Sequence, residues 1–195
     1  MAAAVNPIQA AGISVEEELG AVADRLRLST VRVLGGDGCG SGVIWRPDGV
    51  IVTNAHVARD GLQRVELADG RKFTGKVFAR DPKRDLAAIQ IEGKSFPSLT
   101  IRDATTLRAG EMVIAVGNPM GEVGAACIGI VHSAPRNGSL IFADVRLLPG
   151  NSGGPLADVG GRVVGINTLV AAGLGCAIPS NAVARFLRGL GIVAR

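Results

Sequence analysis

Tyrosine is absent from this 195-residue chain, Trp occurs once, and aromatic residues make up only 3% of it. That excludes a core stacked from rings. It also excludes a single-stranded nucleic-acid surface, which needs aromatics interleaved with basic residues. Cysteine is scarce too. Cys39, Cys127 and Cys176 are odd in number and unrelated in spacing, unlike a disulfide framework or a metal site. No run approaches the roughly 18 apolar residues of a membrane span. The start, Met1-Ala-Ala-Ala-Val-Asn-Pro7, lacks the basic end and long apolar stretch of a signal peptide. The expectation is a cytoplasmic protein (periplasmic or organellar if a leader was removed) without nucleic-acid or membrane partners and without a metal or cofactor.

What is present points to a folded β protein. Hydrophobic residues make up 47% and charged residues 19%, the balance of a globular chain. With so few rings, the core must be built from Val, Ile, Leu and Ala. The 28 glycines imply many tight turns, as in a barrel or sandwich. The net charge of +4 is scattered over the chain and reads as a generic basic surface.

Ser14-Val-Glu-Glu17 has the form of a capping box, which predicts a short amphipathic helix near Ser14–Leu26. From Thr30 the pattern changes to short β-type runs: Thr30–Leu34, Gly42–Trp45, Val50–Thr53, Arg64–Leu67, Lys72–Ala79 and Leu86–Ile91. Pro47-Asp-Gly49 and Ala68-Asp-Gly70 supply turns between them. After a weakly patterned linker, 94–107, six more runs follow: Met112–Val116, Gly124–Ser133, Leu140–Asp144, Gly154–Ala157, Arg162–Leu169 and Leu174–Ile178. A closing helix, Ala182–Leu190, is expected with Ser180 or Asn181 as its cap. Such spacing favours an all-β fold of two six-stranded barrels over any βαβ arrangement. The expected organisation is an N-terminal extension over 1–28, then one domain over 29–195. Within it, barrel one runs about 29–93, barrel two about 108–178, and the helix 180–190.

Three segments carry chemistry: Thr53-Asn-Ala-His56, Arg84-Asp85-Leu-Ala, and Pro149-Gly-Asn-Ser152-Gly-Gly154. A Ser hydroxyl near neutral pH is a poor nucleophile, so a base must remove its proton as it attacks. An imidazole suits that task because its pKa lies close to working pH. A carboxylate then fixes the imidazole tautomer and stabilises the imidazolium. The glycines serve the oxyanion that forms, because Gly150 and Ser152 can aim two backbone N–H groups at one point. His132 reads as a polar strand-end residue, Cys39 as a loop cysteine, and Cys127 and Cys176 as small hydrophobes in strands.

The chain resembles the protease domain of the HtrA/Deg type of trypsin-like serine proteases. The matching stretches are Gly40-Ser-Gly-Val-Ile, Asp48-Gly-Val-Ile-Val-Thr-Asn-Ala-His56-Val, Leu67-Ala-Asp-Gly-Arg and Asp81-Pro-Lys-Arg-Asp85-Leu-Ala. Ala115-Val-Gly-Asn-Pro-Met-Gly121, Gly150-Asn-Ser-Gly-Gly-Pro-Leu156, Gly165-Ile-Asn-Thr168 and Ala177-Ile-Pro-Ser-Asn181 continue the series in the family's order. The resemblance implies two perpendicular β-barrels with the active site between them. It implies His56 as general base, Asp85 as its orienter and Ser152 as nucleophile, with Gly150 and Ser152 forming the oxyanion hole.

By the same resemblance, the primary substrate pocket falls at Leu147, Leu169, Val170 and Ala171. All are aliphatic or small, which predicts cleavage after small or medium aliphatic residues. Arg146, pointing into that pocket, would instead attract an acidic side chain. The implied substrates are unfolded or damaged polypeptides. Family members often form trimers through the segment that is Ile13–Leu28 here, and a helix folded back on its own barrel fits that segment equally well. The chain ends at Arg195, about fourteen residues past the Ala-Ile-Pro-Ser run, so a PDZ domain is not expected. The short stretch from Thr168 to Ala177 predicts a reduced regulatory loop.

Overall fold

A computed structural model describes residues 14–35, 38–136 and 139–192. Helix α1, Val15–Leu28, opens the described chain. Its capping box is made reciprocally: the Glu17 N–H donates to Ser14 Oγ (3.1 Å), and the Ser14 N–H donates to the Glu17 carboxylate (2.9 Å). Six strands follow: β1 (Thr30–Gly35), β2 (Gly38–Ile44), β3 (Val50–Thr53), β4 (Leu62–Glu66), β5 (Lys72–Asp81) and β6 (Leu86–Gln90). Six more make the second half: β7 (Met112–Gly117), β8 (Ala125–Ser133), β9 (Ile141–Ala143), β10 (Pro155–Asp158), β11 (Val163–Ala171) and β12 (Leu174–Pro179). Helix α2, Ser180–Gly189, closes the described chain. Each set forms a closed antiparallel barrel, ordered β1-β2-β3-β6-β5-β4 and β10-β11-β12-β9-β8-β7. The expected all-β, two-barrel fold is therefore the observed one.

Alternation along the strands explains why these runs read as continuous apolar stretches. Ile44, Ile51, Ala87 and Ile89 point into barrel one, with Val31, Val33 and Val65. Their sequence neighbours Val43, Trp45, Val52, Leu86 and Ala88 point out of it, onto Val163, Ile166 and Ile178 of barrel two and Val183 and Leu187 of α2. Both faces of β2, β3 and β6 are thus buried, and the single Trp fills the seam between the barrels. Barrel two has its own aliphatic interior around Val113, Val131, Ile141, Leu156 and Val164. This seam places the start of β6 beside the end of β3 and the middle of β11.

Two local expectations needed adjustment. β2 begins at Gly38, four residues ahead of the expected start at Gly42, because Gly38 to Gly42 pair with Gly35 to Val31 of β1. A glycine-rich composition reads as loop, but the neighbouring strand supplies the missing preference. α2 has Pro179 at its N-cap position and no side-chain cap. The Ser180 hydroxyl is committed elsewhere: it donates to the Arg102 carbonyl (2.6 Å) and accepts from the Ala104 N–H (3.0 Å). The Thr168–Ala177 stretch is a tight β11–β12 hairpin, turned by Ala172 and Gly173, both at positive φ.

Candidate active site

His56 lies in the turn that ends β3. The Asn54 carbonyl caps that turn by accepting the N–H groups of Val57 and Ala58, both at 3.1 Å. Asp85 immediately precedes β6 and sits in the left-handed region at φ 54, uncommon for a residue with a side chain. Four hydrogen bonds hold it there. Asn54 Nδ2 donates to its carbonyl (3.0 Å), and the His56 N–H donates to Oδ1 (3.0 Å). His56 Nδ1 lies 2.8 Å from Oδ2, and the Thr168 hydroxyl donates to Oδ2 at 2.7 Å. A carboxylate accepts only, so Nδ1 carries the proton and Nε2 is left as the basic nitrogen.

These contacts set the protonation of the pair. The hydrogen bond that His56 donates to Asp85 holds the imidazole above its usual 6.5, against the opposing effect of burial. Burial pushes the Asp85 carboxyl up, but hydrogen bonds from His56 and Thr168 outweigh it and leave the carboxyl below its usual 3.8. The pair is built to favour imidazolium beside carboxylate, the state in which a base has just accepted a proton.

Ser152 stands in the turn between β9 and β10, and glycines shape that turn. Gly150 has φ +104, and a Cβ there would lie 2.8 Å from Pro119 Cα. Gly153 has φ +88 and packs against the Ser41 carbonyl so closely that no Cβ fits. The Pro149 carbonyl accepts from the Met120 N–H (3.1 Å). Because a trans peptide points its N–H opposite its carbonyl, this bond turns the Gly150 N–H away from Met120. Among the described residues, neither the Gly150 nor the Ser152 N–H donates to a protein acceptor. The Ser152 hydroxyl donates to the Thr168 carbonyl (2.8 Å) and makes no hydrogen bond to His56.

Sequence reasoning missed two residues that hold the site together, one from each barrel. Ser41 of β2 is fully buried. Its hydroxyl donates to the Gly150 carbonyl (2.7 Å) and accepts from the Asn118 N–H (2.9 Å), while its own N–H donates to the Ser152 carbonyl (2.8 Å). Thr168 joins the Asp85 carboxylate through its hydroxyl to the Ser152 hydroxyl through its carbonyl. Both lay within stretches noticed for their resemblance, yet nothing local assigned them a partner.

Two cavities flank Ser152. One, of about 330 Å³, is lined by His56, Val57, Gly150 and the exposed thiol of Cys39. The other, of about 210 Å³, is lined by Leu147, Leu148, Pro149, Thr168, Leu169 and Val170. Of the four residues expected at the substrate pocket, Leu147, Leu169 and Val170 line this second cavity. Ala171 does not: it ends β11, paired with Leu174, past the cavity. Arg146 is exposed and does not line the cavity either; its carbonyl accepts from the Cys127 thiol (3.3 Å). His132 is also exposed, away from both cavities.

A family model described as a trypsin-like peptidase domain matches residues 40–166, enclosing His56, Asp85 and Ser152. The chain belongs to this family. Its similar relatives include a probable periplasmic serine endoprotease, DegP-like, of Chlamydia muridarum (strain MoPn / Nigg), 41% identical over 72% of this chain and 31% of that protein. The periplasmic serine endoprotease DegP of Escherichia coli (strain K12) is 40% identical over 74% of this chain and 34% of its own length. The serine protease HTRA1 of Xenopus tropicalis is 40% identical, covering 76% and 35%. This chain thus spans about a third of the length of these relatives. Among solved structures, the HtrA-type protease AlgW with a tripeptide superposes with a TM-score of 0.83 at 30% identity, covering 88% of this chain and 63% of AlgW.

These relatives correct the cytoplasmic expectation, because both DegP proteins are named as periplasmic. The physical reason is that an export leader is read apart from the folded domain, so a trypsin-like core carries no address of its own. Among the described residues, no helix is long and apolar enough to cross a membrane.

Proposed function

We propose that this trypsin-like domain is a serine endopeptidase that works through an acyl-enzyme. Ser152 Oγ attacks the scissile carbonyl and forms a C–O bond as His56 Nε2 takes its proton. The carbonyl oxygen becomes an oxyanion facing the N–H groups of Gly150 and Ser152. Collapse breaks the C–N bond, and His56 returns the proton to the leaving amine. Water, deprotonated by the same nitrogen, then hydrolyses the ester. Asp85 keeps Nδ1 protonated throughout, and Thr168 keeps Asp85 in place. The observation that carries this reading is the Thr168–Asp85–His56 chain of hydrogen bonds beside a Gly150 N–H that has no protein acceptor among the described residues.

One contact favours a second reading, in which the domain rests inactive and serves as a binding scaffold or holdase. The Ser152 hydroxyl is engaged with Thr168 and must rotate to reach His56. A fluorophosphonate probe separates the two. A single adduct on Ser152, lost in His56→Ala, is expected, and folded protein that stays unlabelled would overturn the enzyme reading.

The uncharged cavity of about 210 Å³ supports cleavage after small or medium aliphatic residues, since no carboxylate lines it to receive Lys or Arg. Preference for Lys or Arg in a peptide panel would sink this assignment. Unfolded or damaged polypeptides as substrates, and self-association as a trimer, rest on the resemblance to the HtrA/Deg type. The exposed Val15 and Leu28 of α1 are the surface available for it, Ile13 lying outside the described residues. Light scattering on the intact chain should show an oligomer that Val15→Asp with Leu28→Asp dissociates; a monomeric intact chain would refute it.

A further inference from the structure

A cavity of about 550 Å³ reaches the Asp85 end of the site. Asp85 and Thr168 form its inner wall, and neither His56 nor Ser152 lines it. With the cavity beside Ser152 it shares only Thr168 and Leu169. Its floor is aliphatic: Leu140, Leu169, Ile178, Pro179 and Ala182. Its remaining lining is Lys83, Arg84 and Arg185, all exposed. Arg84 pairs with Asp81. Lys83 and Arg185 make no ion pair among the described residues. The volume lies within the range of small-molecule sites, about 300–1,000 Å³.

The two kinds of lining specify the ligand. Asp85 is the only carboxylate in the wall and is already engaged by His56 and Thr168, so every polar side chain left for a ligand is cationic. The floor side chains offer area but no hydrogen-bond partner, so amide groups laid over them would lose their water without replacement. An anionic head at the Lys83–Arg84–Arg185 rim and an unbranched aliphatic body on the floor satisfy both. We propose that this cavity binds an aliphatic carboxylate of the fatty-acid class and that its occupancy controls the triad through Thr168 and Asp85. The control rests on the serine-endopeptidase reading; the binding does not.

Dodecanoate is the probe, titrated by calorimetry into the Ser152→Ala protein, which keeps the cavity whatever the chemistry at Ser152. Saturable binding of one molecule per chain is expected. Arg185→Glu and Lys83→Glu should each weaken it about tenfold, the scale of one lost charge-assisted hydrogen bond. Dodecanol, with the same body and no charge, should bind at least as weakly as dodecanoate binds the variants. Absence of saturable binding, equal binding of dodecanol, or indifference to both substitutions would overturn the site. In the protein with Ser152 intact, saturating dodecanoate should change the fluorophosphonate labelling rate about fivefold or more, a normal size for coupling between sites. Binding with an unchanged labelling rate would remove the control and leave the site. Absence of labelling with and without dodecanoate would instead strike the endopeptidase reading.

Discussion

At the scale of single residues, Asp85 concentrates most of the design of this site. A left-handed backbone costs a non-glycine residue about 1 kcal/mol, and here it lets one side chain meet both the N–H and the ring of His56. Because His56 titrates above 6.5 when folded, it contributes stability below that value, and the contribution is lost as pH rises through the raised one. The proposed mechanism needs the neutral ring, which puts the proposed activity on the alkaline side of the range in which this pair stabilises the fold most. The acid limb of the kcat/KM profile should therefore have its midpoint above 6.5. Asp85→Asn should move that limb down and lower kcat by about 10⁴-fold, since the ring loses its tautomer control. A limb at or below 6.5 in the parent protein would contradict this account of the pair.

Ser41 is the second residue with a role larger than its size. Replacing it by Ala removes the donor to the Gly150 carbonyl and an acceptor for the Asn118 N–H inside a fully buried contact. The expected cost is about 1–3 kcal/mol in stability by chemical denaturation. With the Gly150 peptide freed, kcat should fall by about 10²-fold, comparable to losing one oxyanion donor. Stability lost without any change in kcat would reduce Ser41 to a structural bond.

Among the elements, α1 and the β11–β12 hairpin show opposite strategies. The helix is short, and its docking fixes it: Val22 and Leu26 bury against Ile114, Val116 and Ala157. The hairpin gets its register from a two-residue turn in which Ala172 takes φ 50 and Gly173 φ 81. Two positive φ values match the twist of antiparallel strands, yet Asn suits the first position better than Ala. Ala172→Asn should stabilise the domain by about 0.5–1 kcal/mol, read as a higher Tm. It leaves the cavity wall at Leu169 and Val170 intact, so kcat should not change.

For the whole molecule, the question is what keeps two separately closed barrels in one geometry, since the site takes His56 and Asp85 from one and Ser152 from the other. The aliphatic seam around Trp45, Leu86 and Ile166 supplies most of the adhesion. The linker adds a polar clasp. Arg102 donates to Glu111 (2.6 Å) and Asp158 (3.3 Å), while its N–H donates to the Val163 carbonyl (2.9 Å). Arg102 draws the Glu111 carboxyl down from 4.5 to about 2. A carboxyl depressed in the folded state contributes stability above its unfolded value, lost as pH falls from 4.5 towards 2. Denaturation across that window should show the loss in the parent protein and a flatter slope in Glu111→Gln. Identical slopes would mean that the clasp contributes nothing.

The sequence by itself determined the barrels and the chemical types at the site. Strands such as β3 and β6, buried on both faces, are near-unbroken runs of Val, Ile, Leu and Ala, and turns such as Pro47–Gly49 and Ala68–Gly70 hold a Gly, so both are visible within a few residues. Likewise a serine between glycines, a histidine and an aspartate name an acyl-transfer chemistry through residue type and order. Only the tertiary structure decided which atoms meet. Ser41 reaches Gly150 across 109 positions, and Thr168 reaches Asp85 across 83. No local pattern encodes such a pair, because it exists only once the seam has closed. The same holds for Arg146, turned outward where its place in the chain allowed it to face inward, and for Ser180, whose hydroxyl serves the linker instead of capping its helix. Periodicity and turn chemistry act over one or two turns of chain, whereas the readiness of Ser152 depends on contacts between halves that fold as separate barrels.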